Sequence, residues 1–220
     1  PNPTGWVMSM EQREHLVAIA RRHELTLIED AAYAFLAEDA PPPLAELAPE
    51  RTVYVSGLSK SVATGLRVGF VAAPQPWMAA LERTVMATTW NTPGVMTAVA
   101  AAWLDDGTVQ QLEAQKREDA RARQAVADEV LAGLNVIRHP SSYFLWLPLP
   151  EDARADQITM ALARENISVS TAEPFAVSAH VPHALRVALG SVGREVLREA
   201  LVKVRWAARA SSGEGSHKKY

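Results

Sequence analysis

An α/β chain closed by a smaller α+β unit is the fold class this sequence predicts, and three observations predict it. Short apolar runs at Leu25 to Ile28, Thr52 to Val55 and Arg67 to Ala73 follow a helical segment and are set off by polar or proline positions, as buried strands are. The stretch from Trp77 to about Leu134 changes to a helical pattern. Beyond Asn135 short strand-like runs alternate with two further helical segments.

Pro1 to Gly5 reads as a turn. Ser9 followed by Gln12 is a capping-box pattern, and Leu16, Val17, Ile19 and Ala20 then share one face of a helix that runs to about His23. The run Leu25 to Ile28 ends in Glu29-Asp30, a strand with polar residues at its C-terminal edge. Pro41-Pro42-Pro43 marks a loop, and Pro74 and Pro76 end the third strand. The long helical stretch breaks at Asn91-Thr92-Pro93 and at Gly107, where Thr108 with Gln111 predicts a second capping box. Glu113 to Arg123 reads as a solvated helix face. Then come a strand at Tyr143 to Leu147, a helix from Ala155 to Glu165, strands at Ile167 to Ser170 and Leu185 to Leu189, and a helix from Gly193 to about Ala208. The expected organisation is thus 1–76 and 135–209 as two domains, 77–134 as the helices linking them, and 210–220 as a disordered tail.

The composition is that of a globular chain, 48% hydrophobic and 21% charged, large enough to bury a core. A net charge of -3 offers no footprint for nucleic acid or an anionic membrane. The longest apolar run, Gly94 to Leu104, is too short to span a bilayer. With no cysteine there are no disulfides or thiolate metal sites, which fits a cytoplasmic protein, and the histidines show no ligand spacing. Because the chain opens on Pro1 inside a motif rather than on Met, a fragment is expected.

Four features carry chemistry together: the Pro1-Asn2-Pro3-Thr4-Gly5 turn, Asp30 with Tyr33, Ser59-Lys60 after a strand, and Arg67 in Gly65-Leu66-Arg67-Val68-Gly69-Phe70. In that order they resemble the Asn-Pro-Thr-Gly turn, the Asp-x-x-Tyr element and the lysine and phosphate-arginine segment of class I/II aminotransferases, which are fold-type I pyridoxal phosphate (PLP) enzymes. The resemblance covers roughly Pro1 to Ala208. It implies a three-layer αβα transferase fold like that of aspartate aminotransferase, lacking its N-terminal part and followed by the smaller α+β domain.

The resemblance also implies roles. Lys60 would form a Schiff base with the cofactor aldehyde and later take the substrate's Cα proton. Asp30 would keep the ring nitrogen protonated, since a nearby opposite charge favours the charged form. Asn2 and Tyr33 would hydrogen-bond the ring 3-oxygen, and Arg67 would bind the phosphate with paired donors. Arg186, in Leu185-Arg186-Val187, resembles the arginine that grips the substrate carboxylate. The commonest pattern has a hydroxyl three residues before the lysine; here that residue is Gly57, and Ser56 or Ser59 is left to supply the contact.

The expected activity is amino transfer between an amino acid and a 2-oxo acid, with the full-length protein a homodimer. The alternative is the aminotransferase-like effector domain of a MocR/GntR-type transcription regulator, whose DNA-binding region would lie upstream. As a fragment, the chain is expected to expose apolar sheet surface and to hold half a site.

Overall fold

Ser9 begins the first helix as its spacing predicts. In the computed structural model, which describes residues 2–210, the Ser9 hydroxyl accepts the Gln12 N–H (3.2 Å) and Gln12 Oε1 accepts the Ser9 N–H (2.9 Å). The capping box thus closes at the start of α1 (Met10–Arg22). The Leu25 N–H is still taken by the Ala20 carbonyl (2.8 Å), so β1 (Leu27–Asp30) starts two residues later than the apolar run suggests.

Two further strands complete this sheet. β2 (Thr52–Gly57) pairs parallel with β1 and antiparallel with β3 (Gly69–Ala72). β3 cannot start at Arg67 as expected, because that residue has φ 53°, in the left-handed region. A short helix, α2 (Leu44–Leu47), links β1 to β2, and α3 (Leu58–Ser61) follows β2 directly. Val17, Leu44 and Ala48 join α1 and α2, with the half-buried Leu27 of β1 packed against them.

The helical stretch resolves into α4 (Met78–Thr88), α5 (Gly94–Asp105) and α6 (Thr108–Val130), broken where expected. The second cap differs. Thr108 is itself helical and its N–H goes to Asp106 Oδ1 (2.9 Å), so the carboxylate two residues earlier does the capping expected of Thr108. Leu58, Leu66 and Val68 pack with Ala100 of α5 and Val109 of α6. None of the described helices is long and apolar enough to cross a membrane.

The expectation that Glu113 to Arg123 is a solvated face is corrected by the side chains of α6. Arg117 donates to the Phe35 carbonyl (2.9 Å), and Arg123 donates to the carbonyls of Leu189 (2.7 Å) and Val192 (2.6 Å). Charges that look solvated in the sequence are spent on loop carbonyls that no helix or sheet partner reaches.

The second sheet runs β4 (Ile137–Arg138), β5 (Phe144–Pro148), β7 (Ala184–Ala188), β6 (Ser170–Thr171), antiparallel throughout. β6 starts later than Ile167 because the Ile167 N–H still caps the preceding helix through the Leu162 carbonyl (2.9 Å). That helix, α7 (Ala155–Arg164), and α8 (Arg194–Ala210) cover the sheet, with Leu145, Leu147, Leu185, Leu189 and Leu201 almost wholly inaccessible.

The described chain gathers into two units, Val7–Arg117 around the first sheet and residues 2–6 with 118–210 around the second. The division falls inside α6, the longest helix of the stretch 77–134. In the first unit Ile28 (76% exposed) and Val71 (46%) leave apolar sheet surface uncovered. The tail expected beyond Ala210 lies outside the described residues.

Candidate functional site

Asp30 ends β1 and Lys60 follows the end of β2, so both stand at the carboxyl ends of a parallel strand pair. Open α/β sheets bind ligands there, because side chains and loops converge beyond the strand ends. In the first unit Asp30, Ser56, Gly57, Ser59, Lys60 and Arg67 share the lining of one open pocket of about 260 Å³.

The groups in that pocket are arranged with spare capacity. Asp30 Oδ1 accepts the Ala32 N–H (3.0 Å), which orients the carboxylate while Oδ2 accepts nothing among the described residues. The Lys60 side chain is exposed, and its Nζ stands 5.7 Å from the centroid of the Tyr33 ring, a cation–π contact. Tyr33 is outside the pocket lining but fixes the lysine from the side. Arg67 is exposed, and its guanidinium meets no hydrogen-bonding or ion-pair partner among the described residues. An anion, an amine-reactive carbon and a protonated nitrogen would each find a complementary group.

Gly57 stands where the commonest family pattern has a hydroxyl, and its surroundings favour a glycine. A Cβ built on Gly57 would lie 2.9 Å from the Val68 carbonyl oxygen and 3.1 Å from Gly69 Cα, where β2 and β3 close on each other. A side chain there would prise the hairpin apart. Ser56 donates its hydroxyl to the Ala31 carbonyl (3.4 Å), whereas Ser59 lines the pocket with no hydrogen-bond partner among the described residues. Ser59 is therefore the freer hydroxyl.

Asn2 and Arg186 meet in the second unit. Arg186 Nε donates to Asn2 Oδ1 (2.8 Å), and the guanidinium carbon lies 4.9 Å from the Phe144 ring centroid and 5.9 Å from that of Phe175. Its two Nη groups donate to nothing among the described residues, which leaves a fork held at its base and on its faces. Phe144 and Phe175 were given no role by the sequence: an aromatic in an apolar run reads as core, and only the pairing of β5 with β7 puts it beside Arg186. Among the described residues no cluster of three or more His, Asp or Glu side chains is placed to hold a metal ion.

Comparisons with known proteins converge on one family. The family model described as aminotransferase class I and II matches residues 1–204. The uncharacterized HTH-type transcriptional regulator YdeF of Bacillus subtilis is 29% identical over 189 residues, which is 86% of this chain and 41% of YdeF. The 2-aminoadipate transaminase of Thermus thermophilus is 28% identical over 210 residues, 91% of this chain and 53% of the transaminase. Among solved structures, LysN, an α-aminoadipate aminotransferase from Thermus thermophilus, superposes with a TM-score of 0.85 at 24% identity, covering 96% of this chain and 57% of LysN. A multiple substrate aminotransferase from Thermococcus profundus gives 0.88 at 21% identity, covering 96% of this chain and 54% of that one. The chain thus has the aspartate aminotransferase fold and spans about half the length of the relatives it matches.

Proposed function

This chain belongs to the class I and II aminotransferase family, and from that premise we propose that it binds pyridoxal phosphate through Lys60, Asp30 and Arg67 and moves an amino group between an amino acid and a 2-oxo acid. The family is PLP-dependent. The observation that carries the proposal is the pocket that gathers an amine, an oriented carboxylate and an unengaged guanidinium at the ends of two parallel strands. That donor set fits the group: one cation for the phosphate, one carboxylate for a pyridinium, one primary amine for an aldehyde.

When bound, the cofactor supplies an aldehyde carbon and a ring that takes up electrons. Asp30, steadied by the Ala32 N–H, keeps the proton on the ring nitrogen through its open oxygen. Arg67 meets the phosphate with paired N–H donors, and Ser59 adds its hydroxyl. On the family pattern Asn2, whose Oδ1 accepts from Arg186, would donate its amide N–H to the ring oxygen. The Arg186 fork receives the substrate α-carboxylate. Lys60 would hold the cofactor through its amine, and the same amine could serve as the base for the substrate's Cα proton.

Absorbance tests the core of this reading. The intact protein with PLP is expected to show the visible band of a lysine-bound cofactor and Lys60→Ala to lack it; persistence of the band in the variant overturns the assignment. Arg186→Lys is expected to weaken amino-acid binding at least about tenfold with the cofactor band unchanged, because a point charge cannot replace the planar fork.

The similarity to YdeF favours a second reading, a PLP-binding effector domain of a regulator. Both readings need Lys60. They part on turnover: release of 2-oxo acid from a supplied amino acid supports the enzyme, and binding without release, coupled to a change in DNA affinity, supports the regulator.

A further inference from the structure

α6 sets two consecutive cations on main-chain carbonyls close in sequence to residues of the site, Lys60 itself and the turn after Tyr33. Lys116 Nζ donates to the Lys60 main-chain carbonyl (2.8 Å), and Arg117 donates to the Phe35 carbonyl (2.9 Å) in the turn just after Tyr33. One cation thus holds the residue carrying the amine, and the next holds the turn carrying the ring beside it. We propose that Lys116 is a positioning residue for Lys60, fixing the lysine's main chain so that its amine is presented to the cofactor aldehyde; this rests on the reading of Lys60 as the cofactor lysine.

The need for such an anchor follows from the shape of α3. Four residues make little more than one turn, and the carbonyls at its end have no following turn to accept from. The N–H groups of both Val62 (2.9 Å) and Ala63 (3.1 Å) go to the Leu58 carbonyl, which leaves the Lys60 carbonyl to find a donor elsewhere. A lysine side chain at a helix C-terminus supplies that donor and meets the negative end of the peptide dipoles. Within α3 Leu58 (3% exposed) and Ser61 (1%) are buried and Leu58 packs in the core, whereas the Lys60 side chain is exposed, so the bond to its carbonyl is a contact that restrains the lysine from α6.

Lys116 is suited to the task. It sits in a helix of 23 residues, a firmer base than a loop. Its side chain is half-buried, and burial lowers its ammonium pKa. The sequence hides this role, since Lys116 lies in a charged run with the look of a solvated face. Two handles then fix Lys60: Lys116 on its main chain and the Tyr33 ring beside its amine.

The test separates presentation of the amine from general damage to the site. Affinities of the intact protein are measured for PLP and for 4'-deoxypyridoxine phosphate, which has the ring and phosphate but no aldehyde for Lys60 to attack. In Lys116→Met, PLP is expected to bind at least about fivefold more weakly while the deoxy analogue stays within about twofold, and Lys116→Arg is expected to restore PLP binding. Equal weakening of both ligands shows a merely structural contact and overturns the proposal, as does unchanged binding of both. Lys116→Ala, which also lacks a donor, carries the same comparison if Lys116→Met does not fold. Failure of the underlying reading has a different signature: Lys60→Ala would then keep the wild-type preference for PLP over the deoxy analogue.

Discussion

Arg67 is held at φ 53°, a conformation that costs a residue with a Cβ about 1–2 kcal/mol and that glycine adopts freely. An arginine kept there is a local conflict, and such conflicts gather at functional sites. Arg67→Gly is therefore expected to leave the melting temperature unchanged or raise it while weakening PLP at least about tenfold, a divergence that calorimetry and cofactor titration read separately. Gly57 poses the opposite case. Gly57→Ser would restore the hydroxyl common in the family, yet its Cβ would meet the Val68 carbonyl at 2.9 Å. It is expected to lower the melting temperature and not to tighten PLP.

Strands β5 and β7 carry Phe144 and Arg186, and their ends are tied to α6. Asp119 Oδ2 accepts from Tyr143 (3.0 Å) and from Arg123 (2.7 Å), and Arg123 reaches on to the Leu189 and Val192 carbonyls beyond β7. Burial first, then the hydrogen bond to Asp119, push the Tyr143 phenol up to about 12. At Asp119 burial acts to raise the pKa, but the hydrogen bonds from Arg123 and Tyr143 outweigh it and leave the carboxyl below its usual range. The signs follow by linkage. The raised phenol contributes stability that is whole below the ordinary tyrosine value of about 10 and is lost as pH climbs from there to the folded value. The lowered carboxyl contributes stability present above the ordinary aspartate range and lost as pH falls through its folded value. Urea midpoints against pH are expected to fall less steeply at the alkaline end in Tyr143→Phe than in the wild type; equal slopes would show that Tyr143 is not the group responsible.

At the scale of the whole molecule, each unit has its own apolar clusters, so damage to one is expected to stay local. Leu185 is fully buried in the second unit, and Leu185→Ala is expected to cost about 2–5 kcal/mol there, with hydrogen exchange across β1 and β2 unchanged. The sequence by itself determined the α/β class, the breaks between helices and the chemical kind of the site. Those rest on local signals: a cap at Ser9, prolines after the third strand, and an asparagine turn, acid, lysine and arginine in family order. Strand starts at Leu27, Gly69 and Ser170 were less legible, because a helix cap or a left-handed residue had claimed the residues before them, and an apolar run does not show where the preceding N–H groups go. Only the tertiary structure decided that Phe144 and Phe175 flank Arg186, that glycine is required at 57, and that Lys116, Arg117 and Arg123 point at carbonyls rather than water. Each depends on a partner distant in the chain, and a hydrogen bond or close contact between distant segments leaves no periodicity in either one.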